Sequence, residues 1–402
     1  MKQELDRIPR PRTIFDGCRS IAISLYMALV GYGVLVGIPV ISTAWVRLLG
    51  FSEVEVGRVA GADLGGLSAG AVLVSFVIAR YDRRWLAALG IGLAVLANAL
   101  CTVFVEYEQV LWLRVLAGVG SGVYTAIAVA TLGGTSRPAR AFNMLLFAFA
   151  FSQALEMHVL PQLSMNGIYA VFIVAYLLTL PFLHWIPPRP VPKSAPAEAE
   201  AERETGLPRR TVSPVVPWLC LGAIFVTYIN IGAYWTYIEL ASLAAGVDPE
   251  WIGRILVWAS FCSIAGCLFA TVVSNRLGLA QPLLVSLVVM AWIVGMLSAG
   301  ITGTNILISV FTFNFLWIFI DVYQMATVAN IDPSGRYASL MPGAQGLGQI
   351  VGPNLAASLL GAGLGYDGVF VMCAAASLAA MTIYGFMYLR LRRLQPALAD
   401  GS

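Results

Sequence analysis

Four acidic residues and one arginine lie inside long apolar runs of this sequence, where a charge is costly unless it is paired or functional. They are Asp63, Glu156, Glu239, Asp321 and Arg114. In a desolvated setting a carboxyl group can bind a proton and release it when water returns. An arginine in the same setting can hold a carboxylate or an anionic ligand. These residues are therefore candidates for moving protons or for binding a charged solute.

The position of each residue in its apolar run separates these candidates. Glu239 lies close to the end of its run, which predicts an interfacial position. Asp63 and Glu156 lie at depths similar to that of Arg114, so that either could pair with it. Asp321 lies near the middle of its run, where a charge costs most. We therefore expect proton coupling among Asp321, Glu156 and Asp63.

The apolar runs are long and numerous enough for twelve membrane crossings. Hydrophobic residues make up 59% of the chain, charged residues 11%, and the mean hydropathy is +0.82, which excludes a soluble globular domain. A spanning helix needs about 20 mostly apolar residues. The runs predict spans 1 to 6 at 20–46, 54–79, 85–105, 109–133, 141–163 and 167–186. They predict spans 7 to 12 at 215–240, 251–274, 280–300, 304–329, 338–361 and 367–389. The sequence thus predicts an all-α integral membrane protein in a lipid bilayer.

A polar linker divides the runs into two groups of six that resemble each other. The segment 187–214 is rich in proline, alanine and charge, a composition that opposes ordered packing. At a fixed offset of 196 residues, matching positions are Tyr32/Tyr228, Gly50/Gly246, Gly57/Gly253, Arg58/Arg254, Gly70/Gly266, Arg80/Arg276, Arg140/Arg336 and Gln153/Gln349. This agreement indicates a duplicated unit, and six spans per unit make the two repeats parallel. We predict a tail at 1–19, a six-helix bundle at 20–186, the linker at 187–214, a second bundle at 215–389 and a tail at 390–402.

The basic residues indicate the orientation of the chain. With a cytoplasmic N-terminus, twenty of the 24 Lys and Arg residues fall in cytoplasmic segments, a strong positive-inside bias. We therefore predict a multi-pass protein of the cell membrane, a bacterial inner membrane, with both termini and the linker in the cytoplasm. The net charge of +3 follows from this topology, so no nucleic-acid partner is expected. We expect a monomer.

Two parallel six-helix repeats joined by a charged linker resemble the major facilitator superfamily over essentially the whole chain. The pattern Leu111-x-x-Arg114-x-x-x-Gly118-x-Gly120-x-Gly122 on span 4 is similar to the superfamily's Arg-x-x-x-Gly-x-Gly motif. Arg114, Gly118 and Gly122 share one helical face, where small residues permit close helix packing. We expect Arg114 to face the protein interior.

Two further patterns bear on gating and on transport direction. The turn Ala79-Arg80-Tyr81-Asp82-Arg83-Arg84 and its repeat Asn275-Arg276-Leu277-Gly278 are degenerate forms of a superfamily turn, and the resemblance implies a gate role for Arg80, Arg83, Arg84 and Arg276. The superfamily's exporter pattern Gly-x-x-x-Gly-Pro is missing from span 5. It occurs on span 11 from Gly348 to Pro353, where we expect a kinked helix packed on its neighbour. Import is slightly favoured.

Polar stripes lie on spans that line the central cavity in the superfamily, namely spans 1, 4, 7 and 10. At helical spacing, the stripes are Arg114, Ser121 and Thr125 on span 4, Thr227, Asn230, Tyr234 and Tyr237 on span 7, and Asn314, Trp317, Asp321 and Gln324 on span 10. We expect these side chains to line a substrate cavity. Span 1 offers Tyr26 and Tyr32, which could equally be packing residues.

The function predicted from these features is secondary active transport of a small organic solute by alternating access. No nucleotide-binding pattern is present, so a gradient must supply the energy, and protons are the expected coupling ion. An organic acid or similar metabolite taken up by symport is the first interpretation. The alternatives are proton-driven polyspecific efflux of amphiphilic or cationic compounds, and a membrane sensor or scaffold that does not transport. Neither His158 nor His184 has catalytic or metal-ligating residues at a suitable spacing in the sequence. We therefore expect no enzyme activity, metal or cofactor.

Overall fold

The computed structural model describes residues 14–188, 215–331, 337 and 340–394, apart from the side chains of 138–139, 274–277 and 393–394. Spans 1 to 6 comprise Cys18–Gly31 with Gly33–Leu49, Glu53–Val77, Arg83–Cys101, Tyr107–Gly133, Pro138–Val159 and Met165–Leu177, and the short helix Leu180–Trp185 follows span 6. Spans 7 to 12 comprise Val215–Ala244, Pro249–Ala259 with Cys262–Leu277, Ala280–Gly295, Gly303–Ile331, Met341–Gly361 and Gly365–Leu394. The predicted spans are therefore present, with most ends shifted by up to five residues, whereas the helix of span 6 ends nine residues before its predicted limit.

Eleven of the described spans are long and apolar enough to cross a membrane, span 11 being the exception. Span 11 is less apolar because it contains Gln345, Gln349, Asn354 and several glycines. Its 21 residues are nevertheless enough for a crossing of about 30 Å, and it packs on spans 2 and 7. The side on which span 1 begins and span 12 ends is called the terminal side below, and the other the opposite side.

The 196-residue offset reappears in the positions of the described helices. Spans 2 and 8 begin at Glu53 and Pro249, each after an N-cap residue, Ser52 or Asp248, whose side chain accepts a backbone N–H. The preceding spans are followed by glycines with positive φ at matched positions, 75° at Gly50 and 80° at Gly246. A left-handed residue is a common helix terminator and favours glycine, so the repeat extends to capping chemistry.

Two spans are interrupted, and the interruptions are not at matching repeat positions. Span 1 breaks at Tyr32, whose repeat partner Tyr228 lies inside the continuous helix of span 7. Span 8 breaks at Ser260 and Phe261, whereas span 2 is one helix of 25 residues. The two groups of six spans are therefore similar in topology but differ in where they are continuous.

Glycines bring neighbouring spans into close contact, as the span 4 motif predicts. A methyl group added at Gly118 would lie 2.1 Å from the Asp63 carbonyl oxygen, and one at Gly122 would lie 1.9 Å from that of Leu67. On span 11, Gly348 and Gly352 meet span 7 in the same way. The prediction that the span 11 glycine pattern packs on a neighbour is thus confirmed.

The first six spans meet the last six along spans 2 and 11 and between span 7 and spans 1 and 2. The indole of Trp235 on span 7 donates to the Val36 carbonyl of span 1 at 3.2 Å. The hydroxyl of Tyr237 donates to the Glu53 carbonyl at the start of span 2 at 2.8 Å. These hydrogen bonds join the first and the last six spans on the opposite side.

Candidate functional site

Arg114 and Asp63 form a buried ion pair between spans 4 and 2. Nε and Nη2 of Arg114 donate to Asp63 Oδ2 at 2.8 and 2.5 Å, and Nη1 donates to Asn98 Oδ1 of span 3 at 2.8 Å. Arg114 is 2% exposed and Asp63 3%. The guanidinium carbon also lies 5.9 Å from the ring centroid of Tyr169 on span 6. Arg114 therefore pairs with Asp63, which resolves the choice between Asp63 and Glu156.

These contacts of Arg114 join spans 2, 3, 4 and 6, and the Asp63 carboxylate neutralises its charge. Buried charges are tolerated when they are paired and hydrogen-bonded, and both conditions are met here. Breaking such a pair by removing one partner costs about 3–5 kcal/mol. The pair therefore has a structural role, because the Arg114 guanidinium, whose charge is fixed, already neutralises the Asp63 carboxylate.

Among the described residues, Glu156 on span 5 has no basic partner, and it lies against two glycines of span 1. The Ser152 hydroxyl donates to Oε1 at 3.3 Å, while no described residue donates to the buried Oε2. A methyl group added at Gly37 would lie 2.8 Å from Oε2, and one at Gly33 would lie 3.4 Å from Oε1. The carboxyl group thus fills space that side chains on span 1 would otherwise occupy. A carboxyl in this position is stable when protonated or when a ligand supplies a donor.

The repeat shows how the Glu156 site differs from its counterpart. The positions matching Glu156, Gly33 and Gly37 are Gly352, Ile229 and Ala233. In the second group the glycine is on span 11, and it packs against the Ile229 carbonyl and the Ala233 amide of span 7. In the first group the small residues are on span 1, whereas in the second group the small residue is on span 11. Span 5 can therefore carry a carboxyl group at the position where span 11 carries a glycine.

Asp321 on span 10 is held by one tyrosine of span 7. The hydroxyl of Tyr228 lies 2.7 Å from both Oδ1 and Oδ2 of Asp321. Trp317 is the central residue of the 29-residue span 10, so Asp321 lies one turn, roughly 6 Å, toward the terminal side. One donor satisfies little of the capacity of a carboxylate, which can accept about four hydrogen bonds. Asp321 can therefore accept a proton or a further donor.

The polar stripes of spans 7 and 10 are largely engaged with each other and with neighbouring spans. Gln324 Nε2 donates to Thr227 Oγ1 at 3.0 Å, and the Tyr234 hydroxyl lies 2.8 Å from Ser309 Oγ. Asn314 accepts from Gln153 Nε2 of span 5 at 3.0 Å, which connects the two groups of spans in the interior. Asn230 turns to span 12 and donates to Ser377 at 2.9 Å.

The remaining predicted cavity residues lie in packed surroundings. Ser121 hydrogen-bonds the Gly31 carbonyl and the Tyr176 hydroxyl. Thr125 donates to the Ser121 carbonyl at 2.7 Å and lies against Gly31 of span 1. Trp317 packs among aromatic rings, with Trp235 and Phe313 each at 6.0 Å. Tyr237 belongs to the contact with span 2 described above.

The predicted gate arginines contact other residues of the first six spans. Nη1 of Arg83 donates to Thr131 at 3.1 Å, and its guanidinium lies 4.9 Å from the Phe15 ring. Arg84 donates to the carbonyls of Ile186 and His184 at 2.7 and 2.9 Å. Arg80 is exposed, and the side chain of Arg276 lies outside the described residues. Their role as a gate stays a prediction.

The structure places Glu239 against span 1. The residue is near the end of span 7, only 7% of it is exposed, and it lies near Thr43 and Arg47 of span 1. Span 1 therefore covers it, which its distance from the end of the helix does not predict. Its interfacial position stays a prediction.

Three residues of the site were not predicted. Asn98 and Gln153 are uncharged polar residues in apolar runs, and Tyr228 is adjacent to the span 7 stripe without belonging to it. The repeat did single out Gln153 and Tyr228 as matched positions, and that signal could have identified them. Elsewhere among the described residues, no three His, Cys, Asp or Glu side chains converge in a way that could hold a metal ion.

Comparison with known proteins agrees with this architecture. The sequence matches the family model described as Major Facilitator Superfamily over residues 21–341. No curated protein matches the sequence. The structure is similar to that of a D-xylose-proton symporter, with a TM-score of 0.71, 16% identity, and 92% of this chain and 97% of that chain covered. It is also similar to the nucleoside transporter NupG, with a TM-score of 0.68, 12% identity, and coverage of 92% and 98%.

Proposed function

Because the chain belongs to the Major Facilitator Superfamily, we propose that it is a secondary transporter in which Asp321 couples the movement of a small organic solute to protons. The observation that carries this proposal is the environment of Asp321. It lies near the middle of span 10, and its described hydrogen-bonding partner is the Tyr228 hydroxyl rather than a basic group. A carboxyl group there is stabilised by binding a proton and can release it when water enters.

Glu156 is proposed as a second proton-binding group. It also has no basic partner among the described residues, and none of them donates to its buried Oε2. Asp63 is not proposed for this role, because it forms an ion pair with Arg114. The Gln153–Asn314 hydrogen bond lies between the levels of the two carboxyls. Asn314 is seven residues from Asp321 on span 10, about 10 Å along the helix, and Gln153 is one turn from Glu156.

Transport is proposed to proceed by rocking of the two groups of six spans. The contacts of Trp235 and Tyr237 with spans 1 and 2 close the opposite side. They must break for the site to open there. The predicted bundle limits, cytoplasmic termini, bacterial inner membrane and monomeric state belong to this proposal. Fusion of a reporter enzyme or a fluorescent protein at the C-terminus tests the sidedness.

The hydrogen bonds of Arg114 to Asp63 and Asn98 bear on which class of solute the protein carries. An organic acid was favoured because an interior arginine could bind it, but Arg114 is used by Asp63 and Asn98. The similar solved structures belong to a D-xylose-proton symporter and a nucleoside transporter. They leave the solute open here, because similarity at such low identity concerns the fold.

The test is proton movement in proteoliposomes containing the full chain and a pH-sensitive dye. A panel of organic acids, amines, sugars and nucleosides is added to wild type, Asp321→Asn and Asp367→Asn. Asp367 is an exposed residue at the start of span 12 and provides a matched control. We expect one compound class to drive proton movement in wild type and in Asp367→Asn, with a loss of at least tenfold in Asp321→Asn. Solute flux without proton movement would remove coupling. A folded protein that binds solutes but moves none would favour the sensor alternative.

A further inference from the structure

Apart from Arg83 and Glu239, which are buried near the ends of spans 3 and 7, the charged groups described inside the bundle are not balanced. Arg114 is neutralised by Asp63, and its third hydrogen bond goes to Asn98. Asp321 and Glu156 are held by a tyrosine and a serine respectively, with no basic side chain among their described hydrogen-bonding partners. When both are ionised, the interior carries an excess of negative charge. A ligand or a proton must supply the compensating positive charge.

A second observation concerns Gln324, which lies one turn from Asp321 on the same face of span 10. The Thr227 hydroxyl donates its proton to the Ala223 carbonyl at 2.8 Å. Its oxygen must therefore accept from Gln324, which fixes the amide nitrogen of Gln324 toward Thr227 at 3.0 Å. No described residue then donates to the carbonyl oxygen of Gln324, although the residue is 0% exposed. An unpaired buried acceptor calls for a donor from water or a ligand.

Aromatic residues complete the surroundings of Asp321. Tyr228 contacts the carboxylate directly, and Trp317 precedes it by one helical turn. Tyr384 of span 12 is close enough to interact electrostatically with Asp321, and Tyr32 of span 1 with Tyr228. Aromatic faces attract cations, and they do so more strongly where water is excluded. Carboxylate, amide oxygen and aromatic rings together are a set that binds a cation with N–H donors.

We infer that the solute bound at Asp321 is an organic cation, a protonated amine or a guanidine, whose N–H groups are held by the Asp321 carboxylate and the Gln324 carbonyl oxygen. This inference rests on the proposed function and names its substrate class. Because the cation and the proton use one carboxylate, they exclude each other. Transport is then an exchange in which a cation entering the site releases the proton, and the apparent dissociation constant rises up to about tenfold per pH unit of acidification. The titratable groups that face this carboxylate from packed spans are Tyr228 and Tyr384.

The experiment uses three aromatic probes whose charge does not change near neutral pH. They are 2-phenylethylguanidine, which has N–H donors and a positive charge, 2-phenylethyltrimethylammonium, which has the charge without donors, and 2-phenylethanesulfonate, which is an anion. Binding to the purified full chain is measured by calorimetry, and proton movement in proteoliposomes. Wild type is compared with Asp321→Asn, Gln324→Leu and the exposed control Asp367→Asn, and a melting temperature is recorded for each to establish folding.

We expect the guanidine to bind and to drive proton release, the trimethylammonium to bind at least tenfold more weakly, and the sulfonate not to bind. Gln324→Leu should weaken guanidine binding about tenfold, Asp321→Asn should abolish it, and Asp367→Asn should leave it unchanged. Failure of the guanidine to bind wild type overturns the inference, as does equal binding by a folded Asp321→Asn. If another solute class still drives Asp321-dependent proton movement, the proposed function survives that failure. If no class does, the proposed function fails as well.

Discussion

The Arg58 guanidinium of span 2 donates to the Asn354 side chain of span 11 at 2.8 Å, and a second nitrogen donates to Ser358 Oγ at 2.9 Å. Glycines on span 2 allow this approach, since a methyl group at Gly61 would lie 2.2 Å from Asn354 Nδ2. The pair therefore joins the two groups of spans near the opposite side. We call this contact a clamp, because separation of the two groups of spans on this side would break both hydrogen bonds.

Replacing Arg58 with alanine should favour conformations open on the opposite side. Two partly exposed hydrogen bonds contribute about 1–2 kcal/mol together, which changes a population ratio roughly 5- to 30-fold. Spin labels at Val105 and Leu364, both exposed on that side, report the change by pulsed electron paramagnetic resonance in a background where the accessible Cys18, Cys262 and Cys267 are serine. Arg254→Ala is the matched control, because Arg254 occupies the same repeat position and lies over Trp251 of its own span. Identical distance distributions in Arg58→Ala and Arg254→Ala would contradict the clamp.

Removing Arg114 should destabilise the protein more than removing both members of its ion pair. Arg114→Leu leaves the buried Asp63 carboxylate without its partner, at a cost of about 3–5 kcal/mol. Arg114→Leu with Asp63→Leu should recover much of that loss, because no buried charge remains. The melting temperatures of wild type, both single variants and the double variant in one detergent measure the coupling. If Arg114→Leu kept wild-type stability yet lost transport, a role in ligand recognition would replace the structural one.

Gly37→Ala should displace the Glu156 carboxyl. The added methyl group would lie 2.8 Å from Oε2, and overpacking of this kind costs about 1–3 kcal/mol. The melting temperature should therefore fall in the wild-type background and stay nearly constant when Glu156 is already alanine. Gly92→Ala on span 3 is the control, since nothing lies within 4 Å of the added group. An equal decrease in both backgrounds would show that Gly37 is required for another contact.

Gly118→Ala and Gly122→Ala should each separate span 4 from span 2. The new methyl groups would meet backbone carbonyls of span 2 at 2.1 and 1.9 Å, and a backbone cannot move aside as a flexible side chain can. We expect a loss of about 3 kcal/mol or more, seen as a lower melting temperature and a poorer yield of folded protein. Gly222→Ala on span 7, with open space around it, should be neutral. Wild-type stability of both span 4 variants would exclude the close packing described here.

The helices and the repeat were predictable because they depend on local properties. Apolar length determines a span, and matched glycines and arginines at one offset reveal duplication, so most span limits were predicted to within five residues, the end of span 6 being the exception. The break at Tyr32 was not predicted, although glycines flank it on both sides. The break at Ser260 and Phe261 has no such signal, since neither residue opposes a helix strongly.

The pairing within the site depends on helix rotation, which depth alone does not determine. Asp63 and Glu156 were equally placed candidates for Arg114, and Gly118 decides between them by allowing span 2 to approach span 4. Tyr228 was overlooked because aromatic residues are common in apolar helices for packing alone. The carboxyls chosen for proton coupling remain predictions, and the experiments above test them.

The unmatched breaks in spans 1 and 8 make the duplicated units mechanically unequal. Span 7 is one continuous helix through Tyr228, and this helix positions the tyrosine hydroxyl to hydrogen-bond Asp321. Span 1 has a joint at Tyr32, directly before the glycines that face Glu156. If the units rock as proposed, bending is expected at this joint. The surroundings of Glu156 would then change shape, while those of Asp321 would keep theirs.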